Sequence, residues 1–229
     1  MSVNITPFQI EIANTPESLK AVFQLRYQVY CKEKNFESGK QNQLEQDQFD
    51  RQSIHILIRQ QHTQALVATM RLILADDPHQ PFHFESLSHQ TFELIHEKPR
   101  NHYGEISRLA IASDFRNEVS GDLYEQLEKY KATPLGLIYA SLMVITEVLN
   151  IESVCILEPR FADYISRCGL ITIPIGEPFE HNGTRVPYVL ELNHAQRQHR
   201  KSLDRLYQAL YKGLKPLVLQ HPVSKLISR

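Results

Sequence analysis

Cysteine is scarce in this chain of 229 residues. Cys31, Cys155 and Cys168 are an odd number, at spacings that match neither a zinc site nor a disulfide framework, so structural thiols are expected. Cys168 closes a short predicted helix before Gly169, where the negative end of the helix dipole disfavours a thiolate nucleophile. The eleven histidines follow no metal-ligand spacing such as HExxH, and no dedicated metal site is expected. Long apolar runs are missing too. The longest, LGLIYASLMVITEVL from Leu135 to Leu149, is too short to span a bilayer and carries Glu147 near its end, so it reads as a buried helix. The opening MSVNITPFQIEIA has no basic region followed by a long apolar run, which argues against a cleaved secretory peptide and for a cytoplasmic location. No internal repeat is visible.

What is present suffices for one large α/β domain: 42% of the residues are hydrophobic. The formal net charge is −1, but its distribution is uneven. From His194 onward Arg197, Arg200, Lys201, Arg205, Lys212, Lys215, Lys225 and Arg229 face a single acid, Asp204. Residues 1–194 are therefore read as the domain, and 195–229 as a basic C-terminal helix and tail. That tail is either a solvated helix face or an electrostatic dock for an acidic partner, such as an acyl carrier protein or an anionic membrane surface. Nucleic acid is not expected as a partner, because no recognised binding module accompanies the basic residues.

Patterning supplies the elements. FQIEIA, residues 8–13, alternates like a strand, and Thr15-Pro16 then offers an N-cap and a first-turn proline for a helix fading near Asn35. The Gln- and Glu-rich stretch 38–52, containing DQFD, reads as loop. SIHILIRQ (53–60) and ALVATMRLIL (65–74) read as a hairpin, 75–103 as an irregular segment with a short helix, and GEISRLAIA (104–112) as another strand. A polar segment, 113–132, leads to Thr133-Pro134, which opens the buried helix to about Asn150. The strand ESVCILEP, a short helix from Pro159, the strands LITIPI and VPYVLELN, and an amphipathic helix with Leu203, Leu206, Leu210 and Leu214 on one side complete the chain. The sum is a mixed sheet with helices on both faces.

Several charges break the core pattern. In the first helix Leu19, Val22, Phe23, Val29 and Tyr30 form one stripe, and Arg26 falls in its middle. Arg71 lies on one face of its strand among Val67, Thr69 and Ile73. Regular alternation turns Glu105, Ser107, Leu109 and Ile111 one way and Ile106, Arg108 and Ala110 the other; a bulge would bring Glu105 and Arg108 to one cleft. Guanidinium keeps its proton in a protein, so buried arginines need carboxylates, and Asp47 and Asp50 are the candidates. Two readings stay open: a buried salt-bridge cluster fixing the DQFD loop over the sheet, or a polar pocket for an amino-bearing substrate in which Glu105 accepts the proton of the nucleophilic amine.

LRYQVYCKEKNFE, DQFDRQSIHILIR, ATMRLIL and EISRLAIASDFR, taken in order, resemble the acyl-homoserine-lactone autoinducer synthases, a branch of the GNAT-like acyltransferases. The second half, from PLGLIYASLMVITEVLNIESVCILEPRF to VPYVLEL, is similar to the PEP-CTERM/exosortase system-associated N-acyltransferases. The resemblance implies a GNAT-like α/β fold, with a central, mostly antiparallel sheet whose two central strands splay to receive the pantetheine arm of an acyl thioester. It implies an electrostatic cluster of Arg26, Asp47, Asp50, Arg71, Glu105 and Arg108 beside the acyl-transfer site, with Glu105 as base, acting through water, and the others holding substrate. It also implies no permanently bound cofactor, an acyl carrier protein or acyl-CoA as donor, and a small amine as acceptor.

Two departures qualify that resemblance. Phe36 stands where the autoinducer synthases usually carry tryptophan, which weakens the case for S-adenosylmethionine as substrate. No Gly-rich pyrophosphate loop lies between the EISRLAI strand and the buried helix, which favours a carrier protein over acetyl-CoA. Of the remaining positions, Glu158 is a strand-end acid at the expected cleft and Arg160 its neighbour, while Tyr139, Leu142, Met143 and Leu170 are either acyl-tunnel lining or plain core. The leading expectation is an N-acyltransferase moving a medium or long acyl group to an amine such as an amino acid. Its rivals are an autoinducer synthase using S-adenosylmethionine and a non-catalytic acyl-carrier or lipid-binding module.

Overall fold

The computed structural model describes residues 2–37, 42–75, 81–88, 90, 98–116, 133–167, 170–191 and 201–227. Cys168, residues 117–132 of the polar segment before the buried helix, the side chains of Lys201 and Leu203, and the tail residues Arg197, Arg200 and Arg229 lie outside that description.

A nine-stranded sheet organises the chain, in the order β1-β2-β3-β4-β5-β6-β9-β7, with β8 paired to β9. The strands are β1 (Ser2–Ile5), β2 (Phe8–Ala13), β3 (Ser53–Gln60), β4 (Leu66–Leu74), β5 (Tyr103–Ile111), β6 (Glu152–Leu157), β7 (Ile171–Pro174), β8 (Phe179–Glu180) and β9 (Thr184–Glu191). Every pairing is antiparallel except β5 with β6. A parallel pair needs a long crossover, and α3 (Pro134–Leu149) supplies it, capped by the Thr133 hydroxyl with proline in its first turn and ended by Asn150 in the left-handed region.

Period-two alternation assigns the faces. Ile54, Ile56 and Ile58 of β3 pack with Ile10 and Ile12 of β2, Met70 and Leu72 of β4, and the buried side of α3. Leu57 points the other way, against Ala21 and Val22 of α1 (Pro16–Arg26). Helix α1 begins as the Thr15-Pro16 signal predicts, with Thr15 and Ser18 forming a capping box. It does not simply fade near Asn35: from Tyr27 to Glu33 the winding widens into a π-helix, a form frequent at functional sites. The predicted short helix is α2 (His83–Ser88), and α4 (Pro159–Arg167) follows β6. The last helix, α5 (Lys201–Gln220), buries Tyr207, Leu210, Leu214 and Val218 in the same core as α3. Among the described residues no helix is long and apolar enough to cross a membrane.

Candidate active site

The first clue is where the sheet stops pairing. β5 and β6 are in register from Tyr103–Glu152 to Ile106–Cys155 and then part, although β5 runs on to Ile111 and β6 to Leu157. A cavity of about 410 Å³ opens at this divergence, within the range usual for small-molecule sites. Ile106, Ser107, Arg108 and Leu109 line it from β5, and Cys155, Ile156, Leu157 and Glu158 from the end of β6. Met70, Tyr139, Phe161 and Leu190 give it an apolar side; Lys34, Glu37, His83, Glu105, His181 and Arg185 give it a polar one.

A bulge makes Glu105 and Arg108 neighbours of the same space. Arg71 pairs with Ser107 but Thr69 pairs with Ala110, so Arg108 and Leu109 together oppose Met70, and Arg108 takes φ 55°. Regular alternation would have sent Arg108 to the α3 side with Ile106. With the extra residue, Glu105 and Arg108 both line the cavity.

Behind Arg108 lies the charge network that the sequence calls for. Arg26, fully buried, donates through Nε to Glu45 and through Nη1 to Asp50 at 2.6 Å. Arg71, equally buried, donates to Asp47 at 2.6 Å, to Asp50 at 2.8 Å and to the Ser107 hydroxyl at 3.0 Å. Arg108 reaches Glu45 at 3.2 Å, Asp47 at 3.3 Å and Glu37 at 3.4 Å, and its guanidinium lies 5.7 Å from the centre of the Tyr30 ring. The acids owe their position to the DQFD segment, which is not open loop but a 3₁₀ helix, Gln48–Gln52. Asp47 caps it, accepting the Phe49 N–H at 2.9 Å, while Asp50 accepts the Asp47 N–H at 2.7 Å. Three-residue spacing is thus the spacing of a capping box, and each carboxylate is fixed to backbone before it meets an arginine.

Electrostatics follow from burial and partners. Burial works against the charge on Arg26, yet Asp50 and Glu45 raise its affinity for the proton above the ordinary guanidinium value. Burial likewise disfavours ionised Asp50, but Arg26 and Arg71 hold its carboxyl well below the usual range, and Asp47 is lowered in the same way by Arg71. His55, across the strand pair from Arg71, is pushed down to about 4 by burial despite Asp50 nearby. Burial and then Glu105 push the Cys155 thiol upward, which disfavours it as a nucleophile. His181 is lowered by burial, with His83 and Arg108 adding to the effect.

The structure thus brings together Arg26, Asp47, Asp50, Arg71 and Arg108, with Glu105 nearby. Of this set Arg108 and Glu105 line the cavity; Arg26, Asp47, Asp50 and Arg71 stand one layer behind it. Glu158 and Tyr139 line it, whereas Arg160 is exposed and Leu142, Met143 and Leu170 belong to the core. Glu45, Glu37, His83 and His181 were not foreseen. Glu45 had a signal: three inward arginines exceed what Asp47 and Asp50 neutralise, so a further acid was owed from the same loop. His83 had none, because nothing in its neighbourhood sets it apart from the other scattered histidines. Among the described residues no group of His, Cys, Asp and Glu converges in a way that could hold a metal ion.

Residues 25–124 match the model of the acetyltransferase (GNAT) domain. The architecture is the GNAT-like one expected from the sequence: a mixed α/β fold with a mostly antiparallel central sheet. The domain match spans under half of the chain, and the likeness to solved structures is one of fold. Three solved structures show the likeness. The acyl-homoserine-lactone (AHL) synthase LasI superposes with a TM-score of 0.59 at 20% identity, covering 90% of this chain and 95% of that one. BjaI, a CoA-dependent acyl-homoserine lactone synthase with S-adenosylmethionine and isopentyl-CoA, gives 0.57 at 18%, covering 84% and 81%. FeeM, an N-acyl amino acid synthase from uncultured soil microbes, gives 0.57 at 11%, covering 86% and 97%. None of the curated proteins matches the sequence significantly.

Proposed function

We propose that this protein is an N-acyltransferase that moves an acyl group from a thioester, on an acyl carrier protein or CoA, to a small amine such as an amino acid. The observation that carries the reading is the cavity at the β5–β6 divergence, apolar on one side and bearing Glu105 and Arg108 on the other. The pantetheine arm enters between the strands, where freed backbone amides polarise the thioester carbonyl. The acyl chain lies against Met70, Tyr139, Leu157 and Phe161. Glu105 accepts the proton that an ammonium must lose before it can attack, and Arg108, held by Glu45 and Asp47, frames the acceptor. Thioester aminolysis is downhill, so orientation, a base and a polarising donor suffice.

The similarity of the second half of the chain to the PEP-CTERM/exosortase-associated N-acyltransferases supports an amine acceptor, and a carrier-protein donor suits the basic C-terminal helix. We place the enzyme in the cytoplasm, with any membrane contact peripheral and made through that helix. A second reading, an autoinducer synthase using S-adenosylmethionine, is favoured by the likeness to LasI and BjaI. Phe36 at the cavity wall, in place of the tryptophan usual in that family, speaks against it.

The test is mass spectrometry of the protein incubated with acyl carrier proteins and acyl-CoAs of several chain lengths, each with amino acids, simple amines and S-adenosylmethionine. An acylated amine is the expected product. A lactone with methylthioadenosine would establish the second reading. Carrier binding without any product would leave a docking module.

A further inference from the structure

We propose that His83, oriented by Glu105, is the group that takes the proton from the acceptor amine, the imidazole standing between the carboxylate and the substrate. The inference rests on the acyl-transfer reading and refines it.

Glu105 is poorly placed to meet a substrate alone. Its side chain is 2% exposed beneath α2, and one carboxylate oxygen already receives the Phe84 N–H at 3.4 Å. His83, the first residue of α2, is 17% exposed and lines the cavity with it. Its Nδ1 lies 3.7 Å from Glu105 Oε1. That separation is slightly beyond a hydrogen bond, and catalytic contacts of this kind commonly tighten when substrate enters. The ring is held against Phe49, with centroids 4.8 Å apart, so its position is set by packing as well as by charge. Glu85, on the same helix, is engaged by Arg100 and the Phe82 N–H and does not compete for the imidazole. His181, from the turn between β8 and β9, also faces it, in the cavity that Lys34, Glu37, Arg108, Glu158 and Arg185 line as well.

With Nδ1–H donated to Glu105, Nε2 is left to act in the cavity. It takes a proton from the substrate ammonium, and the freed amine attacks the thioester carbon. The C–N bond forms and the C–S bond breaks with its electron pair on sulfur. The imidazolium returns its proton to that thiolate, and the second nitrogen proton leaves to solvent. One amide and one free thiol result, with one proton released. Glu105 stabilises the transient imidazolium and fixes the tautomer.

The experiment combines kinetics with a substrate-free measurement. His83→Ala should lower kcat by about 100-fold with the donor KM little changed. Added imidazole should restore part of the loss. Glu105→Gln in the same chain should add less than its effect in the wild type, because the two act as a unit. His83→Gln, which keeps bulk and polarity, should be as slow as the alanine variant while melting like the wild type. Separately, ¹⁵N spectra of the wild type without substrate should show the Nδ1–H tautomer of His83. An unchanged kcat in both variants, a loss that imidazole does not rescue, or the Nε2–H tautomer would overturn the proposal. If the wild type acylates nothing, the acyl-transfer reading fails, and the tautomer still decides whether the pairing exists.

Discussion

At the scale of single residues, Glu105 and Arg26 are both almost fully buried, and what separates them is the cavity, which Glu105 lines. On the proposed function, Glu105→Gln should cut turnover by about 100-fold or more while leaving the melting temperature nearly unchanged, checked by steady-state kinetics and calorimetry. Arg26 does not reach the cavity. Removing its guanidinium strands Glu45 and Asp50 in the interior, and Arg26→Ala should cost about 3–5 kcal/mol in denaturant unfolding. His55 makes stability pH-dependent. Its folded value near 4 lies below the ordinary 6.5, so between these limits the unfolded chain binds the extra proton. Stability from this group is complete above about pH 6.5 and falls as the pH drops towards 4, by an amount on the order of 3 kcal/mol. Depressed Asp50 and Asp47 extend the loss to lower pH, since their contribution disappears as acid titrates them. Unfolding curves across pH 7 to 4 should show the decline, and His55→Gln should flatten it.

At the scale of elements, the sequence spoke clearly wherever a cap or an alternation was local. Thr15-Pro16 and Thr133-Pro134 open the helices they announce, and the isoleucines of β3 alternate onto the α3 face. It was silent where geometry depends on a neighbour. The bulge at Arg108 arises from the pairing of β5 with β4, and no residue in EISRLAI signals it: arginine at φ 55° is not a residue chosen for that conformation. For Glu45 the count of inward arginines asks for a further acid, but which member of a Gln- and Glu-rich run is buried is decided by arginines on other elements. At the C-terminus the apolar side expected of the basic helix, with Leu210 and Leu214, is part of the main core. Gly213 lets that helix come close: a Cβ there would fall on the side chain of Val3 in β1. Gly213→Leu should therefore destabilise by about 1–3 kcal/mol, and Val3→Ala in the same chain should recover part of it, measured by thermal unfolding.

At the scale of the whole molecule, the sheet is two leaves. Strands β1 to β5 form one and β6 to β9 the other, and among the described residues the pairing that joins them in the sheet is the short parallel register of Tyr103–Ile106 with Glu152–Cys155. Parallel pairing is slightly weaker per residue than antiparallel, which makes this seam the natural place for the sheet to breathe. On the functional reading above, an acyl thioester lying in the divergence bridges both leaves. Deuterium uptake at the amides of residues 106–109 and 155–157 should slow when a donor thioester is bound, while exchange along β2 and β3 stays as it was. On that reading the substrate arm serves as a rung between the two leaves, taken up and released once in each catalytic cycle.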